Sequence, residues 1–188
     1  MNKAAMHKNR KEDWETPPDI FEPLNKIFNF TIDLAANEKN HLLQEWVGPG
    51  PLMPDFLELT PNELRGHRGW INPPYGRNLP TFTEQIRHLG TFVPIAALLP
   101  ASLDTDWFHS NVLGRAHIFC RRGRIQFLYK GKRPMRKNVE GKLVPNSNTG
   151  ANILALYGLR QLIDLDALRE AGWILLSSPK PKEGESHE

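Results

Sequence analysis

The chain has 188 residues, is 39% hydrophobic and 24% charged, and carries a formal charge of +3 with one cysteine; this is the make-up of one globular domain with a real core. No apolar run approaches the roughly 18–20 residues that span a bilayer, and the basic N-terminus lacks the apolar stretch of a secretory signal. A lone Cys120 excludes an internal disulfide and a thiolate metal site, so it reads as a small buried hydrophobe in a chain suited to a reducing cytoplasm.

Residues 1–12 read as a flexible polar arm. In "DWETPPDIFEPLNKIF", Thr16 is a candidate cap and Pro17 and Pro18 suit a first turn. Ile20, Phe21, Leu24, Ile27 and Phe28 then recur at helical spacing. "FNFTIDLAAN" predicts a buried strand over 30–34 that ends in Asp33 and small residues, and "ANEKNHLLQEWV" a short helix. A turn-rich stretch follows, with an apolar piece over 56–59. "HRGWIN" predicts a short strand, "LPTFTEQIRHLG" a helix stopped by Gly90, and "TFVPIAALLP" a strand covered on both faces. "SLDTDWFHSNVLG" predicts a helix that starts with Asp/Thr cap candidates, Asp104 or Asp106 among them. "RAHIFC" and "GRIQFLYK" predict strands joined in a hairpin around Gly123. "GANILALY" predicts a strand, "LRQLIDLDALREAG" a helix, "WILLS" a last strand, and 178–188 a disordered tail. Strands and helices alternate, which predicts a three-layer α/β domain over 13–177 around a mostly parallel sheet. Ligands of such sheets bind at the carboxyl ends of strands, where Asp33 and Asn72 fall.

Charge is concentrated. Residues 121–142 hold nine Lys or Arg and one Glu, a local balance of +8 in a chain of +3, which points to a polyanionic partner. The other reading is a solvated basic loop. The seven histidines show no metal-ligand spacing, so no metal is expected.

The turn "INPPYG" at 71–76 offers a specific chemistry. Two consecutive prolines remove two amide donors, keep their carbonyls and stiffen the chain. The Asn72 side chain adds a carbonyl acceptor. With the Pro73 carbonyl it would accept both hydrogens of one NH2 group, leaving the nitrogen lone pair free to attack an electrophile. Tyr75 adds a flat face for a planar group. The set suits adenine, cytosine or a carboxamide.

Five segments carry a wider resemblance: "DWETPP" at 13–18, "FTIDLAAN" at 30–37, "INPPYGR" at 71–77, "LLPASLDTDWFH" at 98–109 and "RRGRIQF" at 121–127. They occur in the order found in the phage-type DNA N6-adenine methyltransferases, and the likeness spans about 13–157. The resemblance implies a Rossmann-like methyltransferase fold using S-adenosyl-L-methionine, encoded by a phage or prophage and acting on DNA in the cytoplasm of a bacterial host. It implies that Asn72, Pro73, Pro74 and Tyr75 form the catalytic turn. Adenine would be flipped from the duplex and stacked on Tyr75, its amine attacking the methyl carbon in line. Asp13, Trp14, Thr16 and Pro17 would lie at the methionine end of the cofactor. Asp33 would bind its ammonium or orient a water, with a helix cap as the other reading, and Ala35 would let the backbone come close. Asp55 and Phe56 would hold the cofactor adenine, unless they are a turn and a core residue. Arg77, Arg121, Arg122, Arg124, Lys130, Lys132 and Arg133 would face DNA, most of them on a basic hairpin or loop over 121–150. "DLAAN" stands where many methyltransferases carry Gly-x-Gly. Methylation of cytosine N4 or another amine, or DNA binding without catalysis, are the alternatives.

Overall fold

The computed structural model describes residues 14–48, 55–145 and 150–179. The predicted arm at 1–12, Asp13, and the tail from 180 onward lie outside them. Helix α1 is Pro18–Phe28, α2 is Leu79–Leu89, α3 is Asp106–Asn111 and α4 is Leu165–Glu170. The strands are β1 (Ile32–Asp33), β2 (Glu45–Trp46), β3 (Gly69–Ile71), β4 (Ile95–Pro100), β5 (His117–Arg121), β6 (Met135–Lys137), β7 (Leu143–Pro145), β8 (Asn152–Tyr157) and β9 (Trp173–Ser177).

Seven strands form one sheet, in the order β2-β1-β3-β4-β8-β5-β9. Strands β2, β1, β3 and β4 pair in parallel. Strand β8 runs against both β4 and β5, and β9 runs against β5. The sheet is therefore mixed: the expected parallel arrangement holds for the half that carries Asp33 and Asn72, and antiparallel pairing builds the other half.

Period-two alternation makes the layers. Ile95, Ala97 and Leu99 of β4 enter one buried cluster with Ile86 and Leu89 of α2 and Phe108 of α3. Ala96 and Leu98 enter the other, with Ile20, Phe21 and Leu24 of α1 and Leu168 of α4. Strand β8 splits the same way, Ile153, Ala155 and Tyr157 against Leu154 and Leu156. Both faces of β4 and β8 are covered, so their sequences are continuous apolar runs.

Four expectations are corrected. Residues 35–44 form turns, not a helix: the Asp33 carboxylate accepts from the Leu42 amide (3.1 Å), and Asn37 and Asn40 bond within the turn. Thr16 does not cap α1, whose cap position is Pro17 and makes no side-chain cap bond. The predicted hairpin around Gly123 lies farther on. Lys130 and Gly131, at φ +51° and +70°, turn the chain so that Tyr129 pairs with Lys132, the mirror-image turn that hairpins favour. Strands β6 and β7 form a second hairpin beyond it. Cys120 is half-buried in β5 rather than fully buried.

The loop after β1 is tightly fitted. A Cβ on Gly48 would lie 1.8 Å from the Ala36 carbonyl oxygen. Gly48→Ala is expected to lower the unfolding free energy by about 1–3 kcal/mol, as overpacking does. Urea unfolding checks it, and an unchanged midpoint would contradict the close approach.

Candidate active site at the carboxyl edge of the sheet

The carboxyl ends of β1, β3 and β4 share one edge of the sheet, which is where a ligand of an α/β domain binds. The start of β8 joins them, because Asn152 is registered with Pro100. Asp33, Asn72 and Asn152 thus come from three strands to one edge.

Strand β3 ends at Ile71 and the double-proline turn follows at once. Pro73 is buried, and Asn72, Pro74 and Tyr75 are half-buried. Asn72 Nδ2 donates to the Trp14 carbonyl (3.1 Å). Its donor end is thereby committed, and Asn72 Oδ1 is left as a buried acceptor with no partner. A buried polar atom without a partner costs roughly 1–3 kcal/mol, so one placed on a rigid turn is a feature to explain. Among the described residues three buried side-chain polar atoms lack a partner: Thr16 Oγ1, Trp70 Nε1 and Asn72 Oδ1. Two of the three lie on the segments that the Trp14–Asn72 bond joins.

Tyr75 is held by its hydroxyl, which donates to the Leu98 carbonyl (3.1 Å) and accepts from Asn152 Nδ2 (3.0 Å). Burial pushes its phenol far above the ordinary range, so the hydroxyl stays neutral. Phe127 meets the ring edge-on, with centroids 6.0 Å apart at 90°.

Segment 14–17 is fastened from the other side. Glu15 and Leu128 exchange both backbone hydrogen bonds at 2.9 Å, and Glu15 Oε2 accepts from the Gly131 amide (3.0 Å). Trp14 and Tyr129 meet edge to face at 6.2 Å. Three stretches distant in sequence therefore converge: 14–17, 72–75 and 125–131.

Asp33 is only 3% exposed. Its carboxylate accepts from the amides of Leu42 (3.1 Å) and Ala35 (3.4 Å). Desolvation nevertheless prevails and pushes its pKa up to about 6. No helix starts there, so the cap reading of Asp33 falls away. Ala35 packs on the adjoining cluster. Asp55 is exposed, caps the 3₁₀ turn Phe56–Glu58 and accepts from the Leu57 amide (3.1 Å). The Phe56 ring is 2% exposed and stacked on Phe82, centroids 5.5 Å apart at 7°. Its visible role is packing.

Of the basic residues, Arg77, Arg122, Arg124, Lys130, Lys132 and Arg133 are exposed. Arg133 reaches Asp19 (3.5 Å) and Gln126 (3.3 Å), and Lys130 Nζ lies 5.4 Å from the Tyr129 ring centroid. Arg121 differs: it is half-buried and donates to the Ala171 carbonyl (2.9 Å), tying β5 to the turn after α4.

Residues 3–157 match the family described as DNA N-6-adenine-methyltransferase (Dam). The chain belongs to that family. A curated relative from Escherichia phage T1, named DNA N-6-adenine-methyltransferase, is 24% identical over 169 residues. The match takes in 79% of this chain and 63% of that protein, so the chain spans less than two thirds of its relative's length. In this Dam-family chain the matched region contains β1 to β8 and every residue of the convergence described above. Among the described residues, no helix is long and apolar enough to cross a membrane, and no group of three or more His, Cys, Asp or Glu is placed to hold a metal.

Sequence reasoning missed Asn152 and Glu15 as parts of this site. Each acts through a partner remote in sequence, and no local pattern marks it.

Proposed function

We propose that the chain is a methyltransferase that uses S-adenosyl-L-methionine to methylate N6 of adenine in DNA, on a Rossmann-like sheet. The observation that carries the reading is Asn72 Oδ1, a buried acceptor without a partner at the end of a parallel strand. With the Pro73 carbonyl it accepts the two hydrogens of an adenine amine, and the stiff turn leaves little entropy to lose on binding. Tyr75 stacks on the base, which is flipped out because its amine is otherwise held in a pair. Accepting both hydrogens frees the nitrogen lone pair for in-line attack. No titrating base is required at the start, since the amine becomes acidic only as the new bond forms. When bound, the cofactor supplies an electrophilic methyl carbon. Thr16 Oγ1, buried and without a partner, is the group on the 14–17 segment fitted to hold it, beside Trp14 and Pro17. Asp33 provides the carboxylate for a cationic group, Ala35 and Ala36 allow close approach, and Asp55 accepts from an adenine amine. Arg77, Arg122, Arg124, Lys130, Lys132 and Arg133 face the phosphates.

Incubating duplex DNA with labelled cofactor, then digesting to nucleosides, tests the proposal. N6-methyladenine is the expected product. N4-methylcytosine overturns the choice of base, and DNA binding without cofactor binding overturns the enzyme.

The Asp33 role carries its own test. A cationic ligand favours the charged carboxylate, so affinity should rise with pH through about 6 and fall by up to about tenfold per unit below it. The fold responds oppositely. With a folded pKa raised above 3.8, Asp33 favours folding at low pH and loses that contribution as pH rises through 6. Calorimetric titration of S-adenosyl-L-methionine from pH 5 to 8 should show the slope, and Asp33→Asn should flatten it. A flat wild-type profile leaves Asp33 as a clamp on the 34–42 loop alone.

A further inference from the structure

We infer that Asn152 is a positioning residue for the reaction: from the start of β8 it grips the Tyr75 hydroxyl and so fixes the plane of the ring that receives the base. The inference rests on the methyltransferase reading above.

Asn152 is 5% exposed. Its Nδ2 donates to Tyr75 Oη (3.0 Å) and to the Leu99 carbonyl (3.3 Å). Tyr75 Oη in turn donates to the Leu98 carbonyl (3.1 Å). A phenol has one hydrogen to give, and here it is given to the backbone of β4 while Asn152 takes up an acceptor site. The hydroxyl is thus fully engaged and contributes anchorage, and the ring face contributes the contact. With Phe127 against one side at 90°, the ring is held at its far end by two strands and at its edge by the basic segment. Tertiary packing alone fixes this plane, because Tyr75 sits in a turn where no helix or strand ladder sets its side chain. Antiparallel register does the placing: Pro100 opposite Asn152 brings the amide beside the carbonyls of Leu98 and Leu99. A strand running the other way would start at the opposite edge.

The test is a double-mutant cycle on Asn152→Leu and Tyr75→Phe, with kcat/KM for DNA, kcat and cofactor affinity measured for all four proteins. Each single substitution is expected to lower kcat/KM by roughly ten- to a hundredfold, the scale of a small misplacement at a reacting centre. Cofactor affinity should not move. The double variant should lose clearly less than the product of the two single losses, since the Asn152–Tyr75 bond is removed by both. Fully additive losses overturn the inference and leave Asn152 as a general packing residue.

A second readout needs no activity. The chain has three tyrosines, so ring-labelled protein gives three assignable sets of NMR signals. Tyr75 should show a slowly flipping ring in the wild type and a fast one in Asn152→Leu, with Tyr157 unchanged. Identical Tyr75 signals in the two proteins overturn the inference. Wild-type protein that fails to methylate any base overturns the proposed function instead, and the ring signals still decide the role of Asn152.

Discussion

Asn72→Ala should lower methyl transfer by roughly 10²–10³-fold or more while the protein stays folded, the cost of removing one preorganised polar group from a reacting centre. The loss has two sources. Oδ1 goes, the buried acceptor without a partner that is proposed to take a hydrogen of the substrate amine. Nδ2 goes too, and the Trp14 carbonyl loses its 3.1 Å donor, which costs about 1 kcal/mol of stability as a typical hydrogen bond does. The second effect is small beside the first, so melting should shift only slightly. Asn72→Asp separates them, because it keeps an acceptor and loses the donor. It should retain more activity than Asn72→Ala although its carboxylate now opposes the Trp14 carbonyl. Single-turnover transfer with saturating cofactor measures the chemical step directly. Full turnover in Asn72→Ala would remove this side chain from the mechanism.

The site was partly legible in the sequence, for physical reasons that can be named. The double proline marks a turn whatever surrounds it, and the strand before it ends where sterics say it must. The apolar run at 95–100 reveals a strand covered on both faces, and α1 announces itself by period and by proline at its first position. What failed was everything fixed from a distance. Residues 36–47 have leucines, two glutamates and a tryptophan at spacings a helix tolerates, but the buried Asp33 carboxylate claims the Leu42 amide, the chain turns up to 44, and Glu45–Trp46 pairs with β1 as a strand. The stretch 125–129 finds its strand partner in Glu15 rather than in the neighbouring chain, and Glu15 also holds Gly131, 116 residues away. Local pattern carries no trace of such pairing. Arg121 shows the same limit. It sits in a run of arginines and reads as one of them, yet β9 and the turn before it bring a carbonyl to its guanidinium.

That distinction sets the second large expected effect. Replacing Arg122, Arg124 and Lys132 together with Ala should weaken DNA binding by on the order of a hundred- to a thousandfold at low salt and reduce the slope of log K against log salt by about 2 to 3, since each phosphate contact contributes about 0.9. All three side chains are exposed, and none has an ion-pair partner among the described residues that would hold it back from a polyanion. Arg133 makes a poorer choice for the set, because it already faces Asp19 at 3.5 Å, although an exposed pair of that kind is weak. Arg121→Ala is the control. It should leave the salt slope close to that of the wild type and cost stability instead, about 1 kcal/mol or more for the lost bond to the Ala171 carbonyl. Fluorescence anisotropy across a salt series reads both quantities. Should the triple variant bind with an unchanged slope, the basic stretch is a solvated loop and DNA contact must be sought elsewhere. Should Arg121→Ala lower the slope by about 0.9, the share of one phosphate contact, the guanidinium leaves Ala171 when DNA arrives, and the strand end at β5 belongs to the binding face after all.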